Sequence, residues 1–373
     1  LNSLKLRASY GAVGNSAIDP YQTIAGLSKY DYLFGEDAGN KFFAYRPSMI
    51  PNKDLGWEIS RTANFGVDFG LWNNRISGYI EGYITKTSDL LMERTLPFFT
   101  GFSKVWQNIG KTENKGIELN IQANTLKTKS FSWETTVTFA RNWNKITELL
   151  GGGDIRNNSW FIGKPLQVHY NYEMIGVWQL GEEKEAQKYG AIPGDIKVKD
   201  QNNDGSIGEL DKVILGQKDP KIIASLLNSF RFGAFDASIN LNMNFGSLIH
   251  PNTYASLITR DGLRWMPSNF KYWTPDNPTN EYTRADKLSG YDPFAGTGGY
   301  MKGDYIKIQD ITLGYDFSKI MPKNWKILRA RLYAQVRNLG YIYKACKNDV
   351  SPEAPDFDYN IPTTYTMGIN IDF

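Results

Sequence analysis

Cysteine and histidine are nearly missing from this chain of 373 residues. A single Cys346 excludes an internal disulfide framework. The two histidines, His169 and His250, show neither metal-ligand spacing nor an adjacent nucleophile. No apolar run approaches the ~18 residues that a spanning helix needs. An excess of one charge is lacking too: 42 Lys and Arg stand against 39 Asp and Glu, a net +3, so nothing electrostatic points to nucleic acid as a partner. The "GGG" at 151–153 has neither the strand–loop–helix setting nor the lysine of a phosphate-binding loop. Enzymatic chemistry is therefore poorly supported, and only a glycosidase-type carboxylate pair stays open. No leader peptide begins the chain. "LNSLKLRASYG" starts as though already inside a strand, so the natural N-terminus is expected upstream.

What is abundant is aromatic and period-two. Aromatics reach 14%, with 22 Tyr, 20 Phe and 10 Trp. In "FDASINLNMNF", Phe235, Ala237, Ile239, Leu241, Met243 and Phe245 face one way, and Asp236, Ser238, Asn240, Asn242 and Asn244 the other. The same alternation marks about ten strands, near 3–11, 57–69, 75–85, 115–124, 131–141, 221–230, 235–246, 304–316, 326–338 and 363–373. In "YIKIQDITLGYDF" the phase slips between Ile308 and Ile311, which predicts a β-bulge.

The connections fall into two alternating classes. Segments 70–74, 125–130, 231–234 and 317–325 are short; segments 12–56, 86–114, 142–220, 247–303 and 339–362 are long. A soluble sandwich alternates apolar and polar residues but has no reason to sort its loops by length. An outer-membrane barrel does sort them: short turns face the periplasm and long loops face outside, while apolar side chains meet lipid and polar ones the lumen. The fold class expected is thus all-β, an antiparallel transmembrane β-barrel portion. On this topology the last strand runs inward, and its alternating Tyr365, Ile369, Ile371 and terminal Phe373 read as a signal for the outer-membrane insertion machinery. Trp57, Trp72, Trp133 and Trp143, near strand ends, read as an interfacial girdle.

Eight stretches carry a family resemblance: "LKLRASYGAVGN", "PNKDLGWEISRTANFGVDFG", "NIGKTENKGIEL", "PGDIKVKDQNNDGSIGELDKVILGQKDPK", "YWTPDNPTNEY", "GDYIKIQDITLGYDF", "VRNLGYI" and "PTTYTMGINIDF". In order, they resemble the C-terminal part of SusC/RagA-type TonB-dependent outer-membrane transporters. The resemblance implies a 22-stranded barrel with about ten strands present, and a signal peptide, N-terminal domain, TonB box, plug and earlier strands outside this chain. It implies energised import of a glycan or peptide nutrient, a SusD-like surface lipoprotein as lid, and the TonB complex as a partner reached through the missing part. Ten strands that keep the parent curvature cannot close, so an open sheet with unpaired edges at 3–11 and 363–373 is expected. The alternative is a secreted or surface all-β carbohydrate-binding or adhesion protein with buried apolar faces.

Three sets of residues are candidate sites. In "DQNNDGSIGELD", Asp200, Asn202, Asp204, Ser206 and Asp211 match a calcium loop, with Gly205 at the turn. Asp at the last position replaces the usual Glu, no flanking helix pair is evident, and a self-capping Asx-rich turn explains the same residues. Trp160, Phe161, Trp265, Trp273 and Tyr291 lie in long loops, where they could stack on a sugar, meet a lid or pack loop on loop. Arg7, Arg329 and Arg331 project from strands to the polar face and would line the lumen, paired with plug carboxylates, an anionic substrate or water.

Overall fold

The computed structural model describes residues 1–16, 23–24, 26–33, 41–258, 270–284, 294, 296–318, 320–322, 327–347, 350–356 and 361–372. Ten strands form one antiparallel sheet in chain order. We label them β1 (Ser3–Asn15), β2 (Glu58–Leu71), β3 (Ile76–Ser88), β4 (Gly110–Lys127) and β5 (Phe131–Leu149). They continue as β6 (Ile222–Phe232), β7 (Phe235–Phe245), β8 (Tyr305–Asp316), β9 (Arg329–Lys344) and β10 (Thr364–Asp372). Each pairs with the next, and β1 and β10 are the two free edges, as the resemblance implies. No helix among the described residues is long and apolar enough to cross a membrane, which says nothing about strands.

Register carries the alternation across the sheet. Leu6, Val67, Ile80, Leu119, Phe139, Ala224, Met243, Ile306 and Tyr343 form one continuous cross-strand row. One residue along, Lys5, Asp68, Tyr79, Asn120, Thr138, Ser225, Asn242, Lys307 and Tyr341 form another on the opposite face. Among the described residues nothing packs over the apolar face: Leu313 is 60% exposed and Met367 76%. A sandwich would bury these side chains, at about 1.5–3 kcal/mol each. The sandwich alternative is therefore incorrect, and the exposed apolar face is what a lipid-facing sheet requires.

The bulge falls where the phase slips. Asn240 pairs with Asp310 and Leu241 with Ile308, which leaves Gln309 as the extra residue. Short turns close the other end. Trp72, Asn73 and Asn74 all take left-handed backbone between β2 and β3, and the Asn73 N–H donates to the Asn2 side chain at 2.6 Å. Gly233, with φ of 61°, supplies the left-handed position in the two-residue link from β6 to β7.

Several ladders run further than a membrane-length strand. β3 continues to Ser88 and β4 starts at Gly110, so both ends of the expected 86–114 loop are sheet, and β5 ends at Leu149, inside the expected 142–220 loop. Hydrogen-bonded pairing does not stop where lipid stops, and the sequence still alternates there. Smaller hairpins arise inside the loops: Leu27–Leu33 with Lys41–Pro47, and Leu91–Thr95 with Lys104–Asn108.

Candidate functional site: the polar face and the loops above it

The polar face is cross-braced by side chains that reach over glycine. Arg7 on β1 passes Gly66 on β2 and reaches Glu81 on β3 at 2.8 Å, while its Nε donates to Asp68 at 3.0 Å. A Cβ at Gly66 would lie 2.9 Å from the Arg7 guanidinium, so only glycine leaves this path open. At the other side of the sheet, Arg331 on β9 passes Gly314 on β8 to Asp236 on β7, with contacts of 2.8 and 2.5 Å. Tyr83 likewise crosses Gly116 to donate to Asn142 at 3.3 Å. Arg329 meets Asp316 at 3.3 Å. The three arginines expected on this face are there, and each pairs with a carboxylate of the sheet itself. Sequence reasoning placed the arginines, and Asp236 on the same face, but missed that Asp68, Glu81 and Asp236 are their partners. The available signal was glycine at polar-face positions of long strands.

Segments beyond the long-loop end pack on one another. Tyr254, Tyr282, Cys346 and Val350 form a buried cluster joined by Ile249, Phe270, Tyr272 and Met301. Asp195 accepts from Arg284 at 3.0 Å, which ties the 142–220 excursion to the 270–284 segment. Segment 350–356 descends onto the polar face: Glu353 accepts from Lys307 at 2.7 Å and from the Tyr341 hydroxyl at 2.8 Å. The Lys307 side chain is only 3% exposed. A cation so desolvated is held by its paired carboxylate.

The loop aromatics divide. Phe161 is 8% exposed and packs on Tyr170 at 4.7 Å; Trp273 is 6% exposed and donates from Nε1 to Gln179 at 2.8 Å. Neither presents a free ring face, so the expectation of ligand or lid contact is corrected for both: apolar burial and a satisfied indole make them loop packing. Trp160 is half-buried. Trp265 and Tyr291 lie outside the described residues. Exposed loop aromatics lie elsewhere. Phe98 is 93% exposed at the tip between Leu91–Thr95 and Lys104–Asn108, and Phe42, Phe43 and Tyr45 line the first hairpin.

The 200–211 loop folds on itself. Asp200 accepts the Asn203 and Gly205 N–H groups at 2.7 and 2.9 Å; Asp204 accepts the Ser206 N–H and hydroxyl, both at 2.8 Å. Asp211 is buried and accepts from Gln201 and Gly208 at 2.8 and 2.7 Å. Hydrogen bonds from Ser206 and Asn202 hold the Asp204 carboxyl below its ordinary range. The expected convergence of Asp200, Asn202, Asp204, Ser206 and Asp211 on one point is not found, and among the described residues no group of three or more acidic, His or Cys side chains is set to hold a metal. In this arrangement the carboxylates are turned toward loop N–H groups.

On β10, Tyr365, Ile369 and Ile371 share the exposed apolar face with Met367, while Phe373 lies outside the described residues.

A single-layer antiparallel sheet, apolar and bare on one face and braced by polar side chains on the other, defines a section of outer-membrane β-barrel. Residues 1–339 match the family described as TonB dependent receptor-like, beta-barrel, and the chain belongs to that family and to the bacterial outer membrane. It is 28% identical over 407 residues to TonB-dependent receptor P26 of Formosa agariphila, covering 99% of this chain and 40% of that protein. It is 28% identical over 397 residues to TonB-dependent receptor SusC of Bacteroides thetaiotaomicron, covering 100% of this chain and 38% of that protein. The fold matches the structure of the RagAB peptide transporter with a TM-score of 0.78 at 22% identity, covering 99% of this chain and 41% of that one. The chain thus spans about 40% of the length of the curated relatives it matches.

Proposed function

We propose that this chain is the C-terminal barrel section of a TonB-dependent importer, one that carries a nutrient across the outer membrane. The observation that carries this reading is the two-faced sheet: bare apolar residues outward, and inward a row of polar side chains beneath packed extracellular loops. Such a wall forms one side of a water-filled passage. The braces Arg7–Glu81 and Arg331–Asp236 keep that wall rigid, so selection and gating fall to the loops, the plug and a lid. The cargo we propose is a glycan or oligosaccharide, with a peptide as the second reading because of the likeness to a peptide transporter. A SusD-like lipoprotein covers the mouth, and the TonB complex acts through the part of the protein outside this chain. Import of this kind is binding and gating, with no bond chemistry assigned to the chain.

The test is made on the complete gene. Deletion should abolish growth on one oligosaccharide or peptide class while leaving growth on its monomers intact, and copies lacking the TonB box should not restore it. Unchanged uptake of every oligomeric nutrient would overturn the reading. Calcium at Asp200–Asp211 enters only as a second arrangement, in which the carboxylates give up their loop N–H donors for the ion. Calorimetry on the full-length protein would register that as a calcium-dependent heat, weak at a Kd on the order of 10⁻⁴–10⁻³ M, that Asp204→Ala removes. No heat would leave a self-capped turn whose work is to stiffen the excursion.

A further inference from the structure

The lipid-facing side does not end in neutral residues. On the outward face of β2–β5, past the long-loop end of the apolar rows, lie Arg61, Lys86, Lys111, Lys115, Arg141 and Lys145, all exposed. Their orientation is fixed by what lies between them. Thr62 bonds Thr85 at 2.9 Å and Tyr83 bonds Asn142 on the polar face, so the flanking Arg61, Lys86 and Arg141 point the other way. Only Glu113 and Glu148 offset these cations: Glu113 meets Lys115 and Lys145 at 3.0 and 3.2 Å, and Glu148 meets Lys111 at 2.7 Å. Arg61, Lys86 and Arg141 have no carboxylate partner among the described residues; Arg141 rests over the Trp143 ring at 4.7 Å.

Their height is constant. Arg61 lies ten residues from Leu71, Lys86 ten from Ile76 and Arg141 ten from Phe131, each counted from the periplasmic end of its strand. Ten residues at ~3.4 Å, tilted ~40°, rise roughly 25 Å, the height of an outer-membrane apolar band. The three unpaired cations therefore sit where acyl chains give way to the headgroups of the outer leaflet. Below two of them opens a groove of about 700 Å³ whose floor includes Tyr10, Ala63 and Ile84 and whose upper wall includes Arg61, Lys86, Lys111 and Glu113.

We propose that this surface binds a phosphate-bearing glycolipid of the outer leaflet, with acyl chain on Tyr10, Ala63 and Ile84, one phosphate on Arg61 and Lys86, and a second on Arg141, two strands further round. The inference rests on the barrel reading, which sets the height of the cations against the bilayer. Acyl chains need the apolar floor, and a phosphate oxygen needs donors not already ion-paired; Arg61 and Lys86 supply them here, because the one carboxylate of the groove, Glu113, is taken up by Lys115 and Lys145.

The test uses the full-length protein, purified in mild detergent and offered diphosphorylated lipid A, its dephosphorylated form, or inorganic phosphate alone, with bound lipid read by native mass spectrometry. The wild type should retain the phosphorylated lipid. The double variant Arg61→Gln/Lys86→Gln should lose roughly 30-fold, the effect of two surface cations on an anionic lipid, while Lys5→Gln on the polar face loses none. Arg141→Gln alone gives a second reading if the double variant assembles poorly. Equal retention of dephosphorylated lipid, undiminished retention in both variants, displacement by inorganic phosphate alone, or a lipid-free dimer broken by the same substitutions would each overturn the proposal. Failure of the barrel reading looks different: the protein would then be missing from the outer-membrane fraction altogether.

Discussion

At the scale of single residues, glycine in the strands decides which side chains reach one another. Gly66→Val should drive the Arg7 guanidinium off Glu81 and leave that carboxylate without its cation, a destabilising change. The heat needed to unfold the barrel on a gel should fall. Gly11→Ala, where nothing lies within 4 Å of the new Cβ, should leave it unchanged. Equal effects of the two would show that the brace is incidental. His169 gives a second residue-scale prediction. Burial pushes its pKa down to about 4; a bond to the Leu248 carbonyl opposes the shift, and Lys218 and His250 add to it. The folded loop thus keeps the imidazole neutral where the unfolded chain, near 6.5, takes up a proton. Its contribution is complete above pH 6.5 and falls as pH drops toward 4. Hydrogen exchange in Val168–Tyr172 should accelerate over that window, and His169→Gln should flatten the dependence.

At the scale of elements, the strands were legible because a two-sided environment writes period two into the sequence. Leu241 and Met243 against Asn240 and Asn242 is that signature, and even the single-residue slip at Gln309 left a trace in it. Strand ends were less legible, since pairing extends beyond the lipid while the expectation stopped at membrane length. The loops were hardly legible: Phe161 and Trp273 carry no local mark separating a buried ring from an exposed one, because their neighbours come from distant segments such as Gln179. The carboxylates of 200–211 were visible, but hydrogen bonding within the loop, not residue identity, sets where they point.

At the scale of the whole molecule, everything turns on which face meets lipid. The apolar rows are uncovered, the polar rows are bonded to one another, and segment 350–356 folds onto the polar side through Glu353. Cys346 is buried and is the only thiol in this chain, so Cys346→Ser, with any thiol in the rest of the protein also replaced, gives a clean background for labelling. Spin labels should be placed one at a time at Asn240, Leu241, Asn242 and Met243 of the full-length protein in native outer membrane. Labels at Leu241 and Met243 should relax with oxygen, which concentrates in lipid, and labels at Asn240 and Asn242 with a water-soluble nickel chelate. The opposite pattern, or nickel access at all four positions, would contradict the account.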